Sequence, residues 1–138
     1  MYFSVIMPST SHDSLHLEKR AAIESIAAEH GLAVRFPPTS PYKRFDLDVA
    51  LNELRNAGFV VADLTSERPS CYYELGLAEA MGKKAFLLAV RGTPIHQAAS
   101  RRSVIFFKDM KEFRALIRAI TLEGQGRPVQ SDTRSATG

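Results

Sequence analysis

Apolar residues fall in short continuous runs that alternate with helically spaced ones along most of the chain. Residues 2–7, YFSVIM, are the first run, rich in strand formers and closed by Pro8. After the hydroxyl-rich loop Ser9-Thr10-Ser11-His12-Asp13-Ser14, the spacing of Ala22, Ile23, Ile26 and Ala27 predicts a helix over Leu15 to His30. Asp13 or Ser14 is placed to cap it, and Gly31 stands where a helix-ending glycine belongs. Leu32 to Phe36 reads as a second strand, and the loop 37–44, PPTSPYKR, is too rich in proline for a helix.

Helical spacing returns over Phe45 to Ala57, with Leu47, Ala50, Leu51 and Leu54 on one face and Gly58 as the stop. Phe59 to Ala62 is a fully apolar strand ending at Asp63. Beyond the loop LTSERPS, Cys71 to Gly82 reads as a helix and Lys84 to Val90 as a fourth strand. Val104 to Phe107 gives a fifth strand. Met110 to Thr121 gives a last helix that buries Phe113, Leu116, Ile117 and Ile120.

Strands that are apolar throughout, alternating with amphipathic helices, predict a parallel sheet covered on both faces. With right-handed crossovers, five such strands most simply give a doubly wound, flavodoxin-like α/β sheet of order 2-1-3-4-5. Residues 1–122 are expected to form one domain. The polar, aperiodic stretch 123–138 reads as a flexible tail.

Composition narrows the partners. The net charge of +3 suits an anionic small molecule and is far from the dense basic stripe of a nucleic-acid binder. A single cysteine, Cys71, excludes an internal disulfide or a cysteine metal cluster. No apolar run approaches the roughly 18 residues needed to cross a bilayer, and the first residues lack a basic leader. A cytoplasmic protein with no membrane and no nucleic-acid partner is the expectation. His12 and His16 have no third ligand at metal spacing, and the glycines form neither a phosphate-binding P-loop nor a dinucleotide fingerprint, so no metal or cofactor is expected.

In such a sheet, ligands bind beyond the carboxyl ends of the strands, near the switch point between the first and third. The Ser9–Ser14, 37–44 and Asp63–Ser70 loops converge there, and the helix N-termini that follow favour an anion such as phosphate. Asp63 emerges at that rim, either capping its own loop or contacting a ligand. Glu74 is expected in the first turn of its helix, where the dipole favours a carboxylate. Yet Leu77, Ala78 and Met81 follow it at i+3, i+4 and i+7, so it continues an apolar stripe. A carboxylate there is partly desolvated, which raises its pKa and points to chemistry. Of Tyr72 and Tyr73, one is expected to pack inward and the other to meet a base or sugar. Cys71 lacks a companion base and reads as inert.

The stretch Ala62 to Lys83, apolar strand then ADLT, RPS, YYELG, AEA and GK, resembles the nucleoside 2-deoxyribosyltransferase-like superfamily. The resemblance is strongest to its short bacterial branch bordering on TIR-like domains, and the opening SVIMP (4–8) is similar to that branch's first strand and loop. It implies that Glu74 is the nucleophile or oxocarbenium stabiliser at a ribosyl C1′. It also implies that Asp63 contacts base or sugar and helps proton transfer. The spacing from Asp63 to Glu74 is shorter than in the familiar transferases, and Glu67 is the candidate for their second acidic residue. Ser9, Thr10 and Ser11 would hold a 5′-phosphate, with Lys43, Arg44 or Arg68 adding charge. The expected partner is a nucleotide or nucleoside, in a homodimer or higher homo-oligomer. N-glycosidic cleavage or transfer, NAD hydrolysis by the same glutamate, and non-catalytic nucleotide sensing all remain open. A phosphorelay receiver built on Asp63 and Lys108 lacks the acidic pair after the first strand that Mg²⁺ needs.

Overall fold

The computed structural model describes residues 1–36, 46–96 and 103–126. The elements are β1 (Tyr2–Ile6), α1 (His16–Glu29), β2 (Ala33–Arg35), α2 (Leu47–Asn56) and β3 (Val60–Asp63). A tight turn over Thr65–Glu67 leads to α3 (Pro69–Ala80), followed by β4 (Ala85–Val90), β5 (Val104–Phe107) and α4 (Met110–Gly124). All strand pairs are parallel and the sheet order is β2-β1-β3-β4-β5, as the pattern of runs predicts.

Strand side chains alternate between faces, so each buried strand feeds two cores. Phe3, Val5, Phe59, Val61 and Leu88 meet α1 and α4 through Ile23, Ile26, Phe113 and Ile117. Ile6, Val60, Ala62, Leu87 and Ala89 meet α2 and α3 through Leu54, Cys71, Leu75 and Ala78. The stacked rings of Phe3 and Phe59, 4.7 Å between centroids, lock β1 against β3 within the first core. By the same alternation Asp63 follows Phe59 and Val61 onto the α1–α4 side, whereas Glu74 belongs to the layer on the other side.

Two helices end on left-handed glycines, Gly31 (φ 70°) after α1 and Gly82 (φ 72°) after α3. In both, the residue beyond the glycine donates back into the last turn, Leu32 N–H to Ala27 and Lys83 N–H to Ala78. Several element bounds differ from the sequence expectation. α1 begins at His16 without a side-chain cap, the Asp13 carboxylate instead accepting from Leu15 N–H at 2.9 Å. α3 begins at Pro69, two residues early, because proline's fixed φ suits a first helical position. α4 runs on to Gly124. Of the expected α2 face, Leu54 alone is buried, while Leu47 is 43% exposed: only the last turn of α2 reaches the core. No helix among the described residues is long and apolar enough to cross a membrane.

Candidate functional site

Asp63 ends β3 almost fully buried, 2% exposed, and both of its oxygens are occupied. Oδ1 accepts from the Thr65 backbone N–H at 3.0 Å and from the Thr65 hydroxyl at 2.6 Å. Thr65 Oγ1 in turn accepts from Val90 N–H at 3.0 Å, tying the ends of β3 and β4 together. Oδ2 takes the ammonium of Lys19 at 2.8 Å. Lys19 reaches out of α1, 1% exposed, and also pairs with Asp13 at 2.5 Å. Its ammonium lies 5.1 and 5.7 Å from the ring centroids of Phe107 and Phe113. A charge that deep is tolerable only when paired, and here one cation serves two carboxylates, one from the loop before α1 and one from the end of β3. Lys108, by contrast, turns to Glu112 at 4.0 Å.

Glu74 lies in the second turn of α3, because the helix starts at Pro69. The dipole stabilisation expected at a first turn is therefore weakened. Cys71, Leu75 and Ala78 form the stripe that faces the sheet, and Glu74 flanks it half-buried. Among the described residues no hydrogen bond or ion pair reaches its carboxylate. Its pKa is pushed up from 4.5 to about 7, first by burial and then by the like charge of Glu53, on the neighbouring α2. The Cys71 thiol is pushed up to about 12, by burial and then by the charges of Glu74 and Asp63, so it stays protonated and inert.

Successive helix residues are separated by about 100°, which sets Tyr72 and Glu74 on opposite flanks of the Cys71–Leu75–Ala78 stripe. Tyr72 is half-buried and its hydroxyl donates to Glu67 at 2.9 Å. Tyr73 is 52% exposed on the outer face. Glu67 also accepts from the His96 backbone N–H at 2.9 Å and from its ring Nδ1 at 3.0 Å. Burial acts to raise the Glu67 carboxyl, but the bonds from His96 and Tyr72 and the charge of His96 outweigh it and hold it below the usual range. A cleft of about 390 Å³ opens beside it, lined by Ser66, Glu67 and the segment Val90 to Pro94.

The loop after β1 is exposed at Ser9, Thr10 and Ser11. Ser9 Oγ lies 3.1 Å from Ser11 Oγ and 3.2 Å from His12 Nδ1. The Ser66 hydroxyl donates to the His12 carbonyl at 2.8 Å, which joins this loop to the one after β3. Two of the three expected loops thus meet at the carboxyl edge. Arg68 is the half-buried N-cap residue of α3, while Lys43 and Arg44, with the rest of their loop, lie outside the described residues.

Sequence reasoning overlooked Lys19, Glu53 and His96. Lys19 carried a signal, since it stands three and four residues before Ala22 and Ile23, on their stripe. Glu53 and His96 carried none, because their partners are brought near by packing and by the β4–β5 connection.

No family model matches the chain, and no curated protein does. Among solved structures, the fold is similar to that of a CMP N-glycosidase from Clostridium botulinum, BcmB, at a TM-score of 0.60 and 19% identity. The match covers 83% of this chain and 97% of that one. It is also similar to the constitutive lysine decarboxylase of E. coli, at a TM-score of 0.49 and 14% identity, over 91% of this chain and 18% of that one.

Proposed function

We propose that this protein cleaves the N-glycosidic bond of a nucleotide, a nucleoside 5′-monophosphate in the first instance, with Glu74 acting at the sugar's C1′. The observation that carries the reading is the setting of Glu74: half-buried and without a hydrogen-bond partner among the described residues, so that burial and the charge of Glu53 push its pKa up to about 7. A carboxylate so placed is held for a reacting group, because water is partly excluded and no donor has already taken its charge. The likeness of fold to a CMP N-glycosidase over nearly all of that chain supports the substrate class.

Breaking the bond leaves positive charge on the sugar and an electron pair on the departing base. The Glu74 carboxylate captures the sugar at C1′, and water then attacks the same carbon to release a sugar phosphate. The exposed hydroxyls of Ser9, Thr10 and Ser11, ahead of the α1 N-terminus, suit a 5′-phosphate, with Arg68, Lys43 and Arg44 as its candidate cations. Tyr73 is exposed for stacking on a base. Asp63 enters as a positioning residue, because its oxygens are committed to Lys19 and Thr65.

Incubation with a panel of nucleoside 5′-monophosphates, deoxynucleosides and NAD, read by release of free base or nicotinamide, tests the reading. Glu74→Gln should lower the turnover by about 10²-fold or more. Turnover that survives this substitution overturns the role of Glu74. Release of nicotinamide alone transfers the same carboxylate to a dinucleotide, and nucleotide binding without release makes the protein a sensing module.

A further inference from the structure

The loop after β1 and the turn after β3 are joined twice, and the two joints close a ring. On the surface, the Ser66 hydroxyl donates to the His12 carbonyl at 2.8 Å. In the interior, the next residue, Asp13, holds the Lys19 ammonium, which also takes Asp63. Asp63 accepts from both donors of Thr65, the neighbour of Ser66. Ser66 (φ 71°) and Glu67 (φ 46°) are consecutive non-glycine residues in the left-handed region. Such a conformation costs on the order of 1 kcal/mol per residue and persists only where surrounding contacts impose it. What the ring holds in place is His12. Its backbone N–H, with that of Asp13, donates to the Ser9 carbonyl at 3.0 Å. Its ring Nδ1 lies 3.2 Å from Ser9 Oγ, which is itself 3.1 Å from Ser11 Oγ. The side chain is exposed, and no partner among the described residues engages Nε2. The basic residues that follow are already placed: His16 is buried with Nδ1 on the Pro8 carbonyl at 2.7 Å, and Lys19 is shared between two carboxylates.

From this geometry we infer that His12 binds the 5′-phosphate of a nucleotide, that Ser66 is its positioning residue, and that together they set a preference for nucleoside 5′-monophosphates over nucleosides. The inference rests on the nucleotide substrate of the reading above and not on the role of Glu74. A phosphate monoester offers only acceptor oxygens, and an imidazolium flanked by hydroxyls answers it with donors. Protonated, the ring donates from both nitrogens, Nδ1–H to Ser9 Oγ and Nε2–H to the ligand. Ser9, as the acceptor of Nδ1–H, keeps its own hydroxyl hydrogen to turn outward beside those of Thr10 and Ser11. Because Ser66 fixes the His12 carbonyl from the neighbouring turn, the imidazole is held before the ligand arrives, and less ordering is left for binding to meet. A nucleoside has nothing to place against these donors, so it gains nothing from them.

The test measures calorimetric binding of ribose 5-phosphate, which carries the phosphate but no glycosidic bond, to the full-length protein and its variants. KM for a nucleoside 5′-monophosphate and for its nucleoside is followed beside it. His12→Ala should weaken ribose 5-phosphate, and raise KM for the monophosphate, by about tenfold, with the nucleoside unchanged. His12→Lys, which keeps a cation, should recover part of the loss. Ser66→Ala should cost about threefold in the wild-type background and nothing further in His12→Ala, since it acts through that residue. Unchanged ribose 5-phosphate binding in His12→Ala, or an equal loss for the nucleoside, overturns the role of His12. Independent losses in the double variant overturn the role of Ser66. A wild type that binds no ribose 5-phosphate overturns the inference whatever it cleaves. Binding through His12 without release of base from any nucleotide defeats the N-glycosidase reading and leaves the phosphate site standing.

Discussion

The sheet carries one prominent carboxylate towards each of its faces, and the two are treated in opposite ways. Asp63, on the α1–α4 side, is saturated by Lys19 and by both donors of Thr65. Glu74, in the α2–α3 layer, has burial and a like charge for company and no donor among the described residues. Hydrogen bonds and an ammonium hold Asp63 as a strut between β3, β4 and α1. Their absence leaves Glu74 with its charge unspent. Two acidic side chains that look alike in a sequence are therefore separated by what occupies their oxygens.

Removing the cation from the saturated centre should have the largest effect. Lys19→Met leaves Asp13 and Asp63 buried without a counter-charge, and a loss of about 3–5 kcal/mol in unfolding free energy is expected. Urea denaturation measures it. A loss below about 1 kcal/mol would mean that the triad behaves like a surface ion pair, and the contrast with Glu74 would collapse.

The second expectation concerns the cost of ionising Glu74. Its folded pKa of about 7 lies above the ordinary 4.5, so between these values the folded state holds a proton that the unfolded state has lost. Stability should therefore fall as pH rises through this window, by up to about 3 kcal/mol. Glu74→Gln should remove the slope, so that the variant is more stable than wild type at pH 8 while lacking activity. Thermal unfolding at pH 5 and pH 8 tests this. Parallel behaviour of the two proteins would show that Glu74 is not desolvated.

The smallest effect isolates the like charge. Glu53→Gln should move the ionisation of Glu74 down towards 4.5 but not all the way, since burial is the larger cause. The acid limb of the pH–rate profile reports it. An unmoved midpoint would remove Glu53 from the account and leave burial alone.

Much of the fold was legible in the pattern of residues. The runs at 2–7, 59–62, 84–90 and 104–107 are apolar but for Ser4 and Lys84, which suits strands of a parallel sheet covered by helices, although Ile105 and Phe106 on the edge strand β5 stay 44% and 41% exposed. Gly31 and Gly82 marked helix ends because left-handed backbone favours glycine. The start of α3 was misplaced by two residues, since Pro69 read as a breaker although it serves as the first helical residue. That shift is what moved Glu74 from the first turn to the second.

For the site, the division is sharper. The apolar spacing of Leu77, Ala78 and Met81 after Glu74 was enough to locate a half-buried carboxylate, because helical periodicity is a local property. Whether a carboxylate is spent or available depends on residues far away in sequence. Lys19 reaches Asp63 across 44 positions and His96 reaches Glu67 across 29. Those pairings are made by the packing of α1 on the sheet and by the return of the chain after β4. The pattern of runs and spacings therefore located the acids, and the tertiary structure alone bound one into the edge of the sheet and left the other without a donor among the described residues.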